Sequence, residues 1–371
     1  MNKKARLWAY YLPQFHCIPE NDEWWGKGFT EWTNVRKAKP LFPGHHQPVE
    51  PGELGYYDLM KQPEIRERQA ELAREYGIEG FIYWHYWFGG GKMLLEKPFA
   101  EVLKSGKPDF PFALAWANED WRGFWHGLDN ERVVLIEQTY PGDEDSIAHF
   151  NYVLPAFKDK RYLRIDGKPV FFVYKPDQCP YMAHFIQLWR KLADENGLPG
   201  IYFVGIRGGF HGELNTYIGW ASVKGYGFDA VNVINQFDGV PKETIKLRLL
   251  KKIFRNRWIK KCPNITSWDV RNMLCDWDGH DEVISNVGAG WDHTPRTGID
   301  GRVQINFTPE KFGAALSTMI ERNSNKPFDK RIITIKSWNE WAEGNYLEPD
   351  KRWGRRLLEE VRTAVFKEDE K

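Results

Sequence analysis

Two glutamates, Glu340 and Glu343, stand three residues apart in the stretch SWNEWAEG, between Trp338, Asn339 and Trp341. A charge pair on a solvated surface has no use for so much aromatic area. Two carboxylates flanking one bond are what cleavage of a glycosidic bond requires: one donates a proton to the leaving oxygen and the other assists the sugar carbon. On a continuing strand, residues three apart face opposite sides. A chain that leaves the strand and turns, as Gly344 implies, can bring both carboxyls to one cleft. The plainer alternative is a structural glutamate bonded to backbone or to an arginine.

Other stretches offer groups that could hold a sugar. In WANEDW, Asn118 and Glu119 lie between Trp116 and Trp121, with Trp125 shortly after. An Asn side chain offers two donors and an acceptor to hydroxyls, and indole faces cover the C–H side of a pyranose. A core tryptophan, with Glu119 bracing a neighbouring strand, is the plainer alternative. In WDHTPR, Asp292 and Arg296 either fix hydroxyls or a substrate acid, or pair with each other. YWHYWFGGGK contributes Tyr83, His85, Tyr86 and Trp87, of which alternate residues must point to opposite sides of a strand. Its GGGK tail lacks the Ser/Thr and the spacing of a phosphate loop. AYYLPQFH adds Tyr10, Gln14 and His16. None of the 10 histidines sits in an HExxH arrangement, so neither a metal nor a cofactor is expected.

These groups need elements to position them. Eight short β-rich apolar runs recur: RLWAYYL from Arg6, GIEGFIYWHYW from Gly77, FPFALAWA from Phe110, KPVFFVYK from Lys168, GIYFVGI from Gly200, FDAVNVI from Phe228, EVISNVGAGW from Glu282 and RIITIKSW from Arg331. Helical patterns lie between them, at 63–77, 92–104, 143–158, 181–196, 309–323 and 353–365. Strand–helix alternation repeated about eight times predicts one α/β domain over 1–371, a (β/α)₈ TIM barrel, with an open doubly wound sheet as the runner-up. The polar and aromatic clusters follow the strands, where the βα loops of a barrel converge. The first of these loops, CIPENDEWWGKGFTEWTNVRKAKPLFPGHHQP, is too long for a mere connector, and Trp24, Trp25, Phe29 and Trp32 argue for order. It is either a lid or subsite wall, or a packed plug.

Composition narrows the partners. Lys plus Arg number 52 against 51 Asp plus Glu, so no global field draws the protein to nucleic acid. One local run departs from this balance: KLRLLKKIFRNRWIKK, Lys246 to Lys261, has apolar residues at helical spacing. Such a helix can lie weakly on an anionic membrane, or can be a barrel helix with a solvated face. No obligate protein partner is expected. The four cysteines show no metal spacing and read as free thiols. No run approaches the ~20 apolar residues of a membrane span, and no leader-like apolar segment precedes Pro13, which points to the cytoplasm.

Taken together, YYLPQFHCIPENDEWWGKGFTEWTNV, GFIYWHYWF, FALAWANEDW, WDHTPR and SWNEWAEGNYLEPD resemble the WbsX-type polysaccharide-biosynthesis family, related to glycoside hydrolase family 99 and its endo-α-mannosidases. The resemblance implies a retaining glycoside hydrolase acting on a bacterial-type glycan through a 1,2-anhydro sugar. It gives Glu340 the deprotonation of the sugar 2-hydroxyl and Glu343 the role of general acid and then base. Asp120 and His126 depart from the family pattern, so mannose specificity does not follow. The family name also implies a glycosyltransferase or transglycosylase of lipopolysaccharide or O-antigen synthesis, although no DxD nucleotide-sugar signature is apparent. A non-catalytic glycan-binding protein is the third alternative.

Overall fold

Each of the eight apolar runs forms one strand: β1 Arg6–Tyr11, β2 Ile78–Trp87, β3 Phe112–Trp116, β4 Lys168–Val173, β5 Tyr202–Arg207, β6 Ala230–Val233, β7 Val283–Gly288 and β8 Ile332–Lys336. The computed structural model describes residues 2–123, 133–207, 223–234 and 263–367. The strands pair in parallel in chain order. β1 closes the ring, with Leu7 paired to Ile333 on one side and Ala9 to Phe81 on the other. A strand with neighbours at both edges excludes the open sheet, and the architecture is a (β/α)₈ barrel.

Nine helices are described: α1 Pro19–Trp25, α2 Glu31–Lys37, α3 Pro63–Glu75, α4 Lys97–Ser105, α5 Asp143–Lys158, α6 Met182–Glu195, α7 Thr294–Thr297, α8 Pro309–Arg322 and α9 Arg356–Val365. Their ends follow local chemistry. Proline opens α3 and α8, where its missing N–H costs nothing, and the Thr308 hydroxyl caps α8 by accepting from Lys311 N–H. Asp143, Glu144 and Asp145 load the first turn of α5 with negative charge, favourable to the helix dipole. α4 stops at Gly106, whose φ of 73° suits a residue without a Cβ.

Strand alternation divides the side chains between the barrel interior and the helix layer. Trp8 and Tyr10 point inward, while the Tyr11 hydroxyl reaches outward to Gln69 on α3. Gly80 makes room for Trp8, since a Cβ there would stand 2.4 Å from the indole ring. Above that ring lies a polar layer. Tyr10 donates to Asn232 Oδ1 at 2.5 Å, and Asn232 and Asn286 donate to Thr334 Oγ1 at 2.9 and 3.0 Å. These bonds satisfy groups that would otherwise cost about 1–3 kcal/mol each to bury.

The long first βα loop is packed rather than loose. It carries α1 and α2, Thr30 begins α2 with a reciprocal capping box, and Trp32 donates to the Tyr57 carbonyl at 2.8 Å. Trp32 also packs at 5.4 Å from Trp341, which ties the loop to the chain beyond β8. Among the described residues, Cys17, Cys179 and Cys275 are free, and no helix is long and apolar enough to cross a membrane. Trp125, Cys262 and the basic stretch 246–261 lie outside the described residues.

Candidate active site

A cavity of about 1060 Å³ opens at the C-terminal mouth of the barrel, where the chemistry of this fold gathers. Beyond β8, Asn339–Glu340 pairs antiparallel with Asn345–Tyr346, and a single 3₁₀ turn over Trp341–Glu343 joins them. Gly344 closes the hairpin with a φ of 58°, and a Cβ there would meet Asp292 Cβ at 2.7 Å. The turn is pinned from both sides. Ser337 Oγ accepts from Glu340 N–H at 2.9 Å, and Asp292 N–H donates to the Glu343 carbonyl at 2.6 Å. Glu340 and Glu343 therefore both line the cavity.

Lys336, the last residue of β8, stands between them. Its Nζ lies 2.6 Å from Glu340 Oε2 and 2.9 Å from Glu343 Oε2, and 5.0 Å from the centre of the Trp291 ring. Because both bonds meet at one nitrogen, the two oxygens are no farther apart than those distances together, about 5.5 Å. The remaining partners differ. Trp84 Nε1 donates to Glu340 Oε1 at 2.8 Å, whereas Arg296 places Nη1 2.5 Å from Glu343 Oε1 and Nη2 2.6 Å from Glu31 Oε1. Glu31 comes from α2 in the first loop, so the loop supplies a wall of the charged cluster.

The electrostatics follow those partners. Burial, with repulsion from Glu343, outweighs Lys336 and pushes the Glu340 carboxyl up to about 7. Burial acts on Glu343 too, but Lys336 and Arg296 overcome it and hold that carboxyl well below the usual range. Burial lowers the His293 imidazole to about 4, so the ring is neutral near pH 7. On the opposite wall burial raises Glu119, against the pull of its ion-pair partner Lys175. Trp84, Tyr86, Trp121, Tyr174 and Trp291 give the cavity the aromatic faces that a pyranose stacks on.

Of the sequence candidates, Gln14, Tyr86, Glu119, Arg296, Glu340 and Glu343 line this cavity. The Gln14 side-chain nitrogen is buried without a protein partner. Others are displaced by strand parity. Tyr83, His85 and Trp87 face outward: Tyr83 packs on Phe99 of α4, His85 bonds His149 of α5 at 2.8 Å, and Trp87 stacks on the same imidazole. Trp116 also faces the helices, against Phe185, and Trp338 packs on Phe81. Tyr10 lies beneath the cavity floor, stacked on Trp84.

A third group holds loops together. His16 Nδ1 bonds the Pro13 carbonyl, Trp32 sits in the loop core, and Asn118 ties the end of β3 to Lys175. Asn339 joins the ends of β8 and β1 through Leu12. Asp292 is bonded by His45, Gln47 and Thr294 rather than by Arg296, and borders a smaller cavity of about 170 Å³. The residues that sequence reasoning missed are Trp84, Lys336, Glu31, Tyr174, Trp291 and His293. Two had a signal: Trp84 shares the parity of Tyr86, and Lys336 is a lone charge closing an apolar strand. Among the described residues, no group of three or more His, Cys, Asp or Glu is placed to hold a metal ion.

Solved structures with this fold include a "Glycoside hydrolase-like protein" (13% identity, TM-score 0.58, covering 98% of this chain and 94% of that one). The GH99 endo-α-mannosidase from Bacteroides thetaiotaomicron is similar at 16% identity and a TM-score of 0.56, covering 97% and 95%. Among curated proteins, the uncharacterized protein WxcX of Xanthomonas campestris pv. campestris is 36% identical over 367 residues, 97% of this chain and 50% of its own length. The chain thus spans about half the length of the curated relatives it matches. The model of the family described as Glycosyltransferase WbsX matches residues 7–361, and the chain belongs to that family.

Proposed function

We propose that residues 1–371 form a single catalytic barrel that cleaves a glycosidic bond in a bacterial-type polysaccharide or oligosaccharide with retention, using Glu340 and Glu343 and no metal or cofactor. One observation carries this: two carboxylates, Glu340 buried and Glu343 half-buried, share one ammonium within an aromatic cavity, their oxygens no more than about 5.5 Å apart. That ceiling falls short of the about 6.5–9.5 Å that inverting enzymes need to admit water. The sequence resemblance to glycoside hydrolase family 99 implies assistance from the sugar 2-hydroxyl, and the barrel is the fold of a GH99 endo-α-mannosidase. Gln14, Tyr86, Glu119 and Arg296 line the space the sugar would fill, and the protein works in the cytoplasm.

A second possibility has its own support. The family is named for glycosyl transfer, and the same carboxylate pair serves transfer when a sugar hydroxyl replaces water. The test is a panel of bacterial surface polysaccharides and lipid-linked oligosaccharides, incubated with and without EDTA and resolved by mass spectrometry. Shortened products, absent with Glu340→Gln, support hydrolysis. Longer products, or turnover of a nucleotide- or lipid-linked donor, replace hydrolysis with transfer. Tight binding without any product, unchanged in Glu340→Gln and Glu343→Gln, defeats both and leaves a glycan-binding protein.

A further inference from the structure

The charged groups that line the large cavity divide into two sets. Those around the carboxylate pair are bound to one another, Arg296 to Glu31 and Glu343, and Lys336 to Glu340 and Glu343. On the opposite wall Glu119 is held by Lys175. The second set is Lys37, Lys39, Arg302 and Asp300, three cations and one acid on the side where α2 packs against α7. Among the described residues, neither Lys37 nor Lys39 forms an ion pair, although both border the cavity.

Helix chemistry does not account for both lysines. A cation in a last turn complements the helix dipole, and Arg36 and Lys37 both stand in the last turn of α2. Arg36 lies over the Tyr56 ring, 4.1 Å from its centre. Lys37 borders the cavity instead, where burial lowers its ammonium below the ordinary lysine value and Glu31 only partly restores it. Lys39 lies beyond the helix, after an extended Ala38 with ψ of 148°, where the dipole has faded. Two lysines thus reach one wall for separate backbone reasons, and no acid of the protein meets either of them among the described residues.

We propose that Lys37 and Lys39, with Arg302 on the same wall, form an anion subsite, so that the cavity takes an acidic glycan, one bearing a carboxylate or a phosphate on a sugar beside the one at the carboxylate pair. The proposal rests on the cavity being the glycan site and does not depend on which bond breaks there. The separation sets the position of the anion. Six helical residues part Glu31, which meets Arg296, from Lys37, about 9 Å along the axis of α2, so the anion belongs to a neighbouring sugar rather than the one at the pair. Near the pair the cations are already bound to carboxylates, and an added anion gains little there. At the α2 wall it meets an ammonium that burial has partly stripped of water, where a charge-assisted hydrogen bond gains most.

The test begins with fragments. The whole chain carries ¹³C-methyl groups on its lysines, a change that keeps their charge, and Lys37→Gln and Lys39→Gln identify the two signals. Glucuronate and inorganic phosphate should shift these signals ahead of those of other lysines, and glucose should leave them in place. Shifts spread evenly over the surface lysines, or none at these two, overturn the subsite. Electrophoresis through gels that contain bacterial surface polysaccharides then reads the polymer. An acidic polymer should retard the protein. Reduction of its carboxylates to alcohols should abolish the retardation if the anion is a carboxylate, and removal of phosphate by hydrofluoric acid should do so if it is a phosphate. Lys37→Gln with Lys39→Gln should weaken retention about tenfold, about threefold for each exposed cation, and Lys37→Arg with Lys39→Arg should restore it. Equal retention of the glutamine variant, or retention by neutral polymers alone, overturns the proposal. Cleavage of neutral polymers without preference for acidic ones ends the subsite and leaves the glycosidase reading standing, whereas retention by an acidic polymer without cleavage does the reverse. The fragment titration decides even where no polymer retards the protein.

Discussion

Glu343 and Glu348 lie on either side of one hairpin, the first half-buried and the second buried, and they are held by opposite means. Glu343 faces open space and is gripped by two cations. Glu348 faces the core and accepts only from neutral donors, Trp341 Nε1 at 2.6 Å, Gln69 Nε2 at 2.6 Å and Tyr57 Oη at 2.9 Å. Cations keep one carboxylate ionised beside a cavity; for the other, neutral donors leave burial in command. The contrast separates a carboxylate that cations set at the cavity from one that holds the first group's turn in place, since Trp341 belongs to that turn.

The comparison breaks first on turnover. With the substrate identified by the polysaccharide panel, Glu343→Gln should lower kcat on the order of 10³-fold, within the range general acid–base groups contribute. Glu348→Gln should lower it less than about tenfold. Equal losses in the two variants would show that the hairpin, not the charge, is what matters.

Stability should order the variants the other way. Replacing Glu348 by Leu strands three buried donors at about 1–3 kcal/mol each, so unfolding in urea should show a loss of about 3 kcal/mol or more. Glu343→Gln should cost less than that, since Lys336 and Arg296 keep their other partners, Glu340 and Glu31. A Glu343 variant less stable than the Glu348 one would reverse the division of labour.

The smallest expected effect concerns pH. The folded carboxyl of Glu348 titrates at about 7 against 4.5 for the ordinary group, so between those values the folded protein holds a proton that the unfolded chain has released. Its contribution is full below the unfolded value and is lost as pH rises through about 7, roughly 3 kcal/mol at about 1.4 kcal/mol per unit. Glu340 acts with the same sign. Glu343, depressed instead, contributes stability that disappears only as pH falls through its low value. Urea midpoints of Glu348→Gln between pH 4.5 and 7 should therefore fall less steeply than those of the parent, and parallel curves would remove Glu348 from the account.

Much of the fold was legible because each strand is a short apolar run with its own punctuation. Pro63 and Pro309 start helices, Gly106 ends one, and all eight strand runs matched. The site was legible only as a location. Placement after the strands brought Glu340, Glu343, Arg296, Glu119, Tyr86 and Gln14 to one cavity. Residue type misled where parity decided: in YWHYW the histidine and its four aromatic neighbours look alike as sugar binders, yet Trp84 and Tyr86 face the cavity while Tyr83, His85 and Trp87 face helices. Glu31 could not be found by spacing at all. It meets Arg296 across 265 residues of sequence, and only the packing of the first loop onto the last hairpin brings them together.

That long-range meeting has a consequence for how the molecule is made. The cluster draws Glu31 from near the start of the chain and Lys336, Glu340 and Glu343 from near its end, and Trp338 N–H locks onto the Tyr10 carbonyl at 2.7 Å where the ring shuts. A nascent chain emerging from the ribosome holds an open sheet, with the edges of β1 and β8 unpaired, until its final strand arrives. Assembly of the charged cluster and topological completion then coincide, and a folding intermediate that has not joined its first strand to its last lacks the cluster altogether.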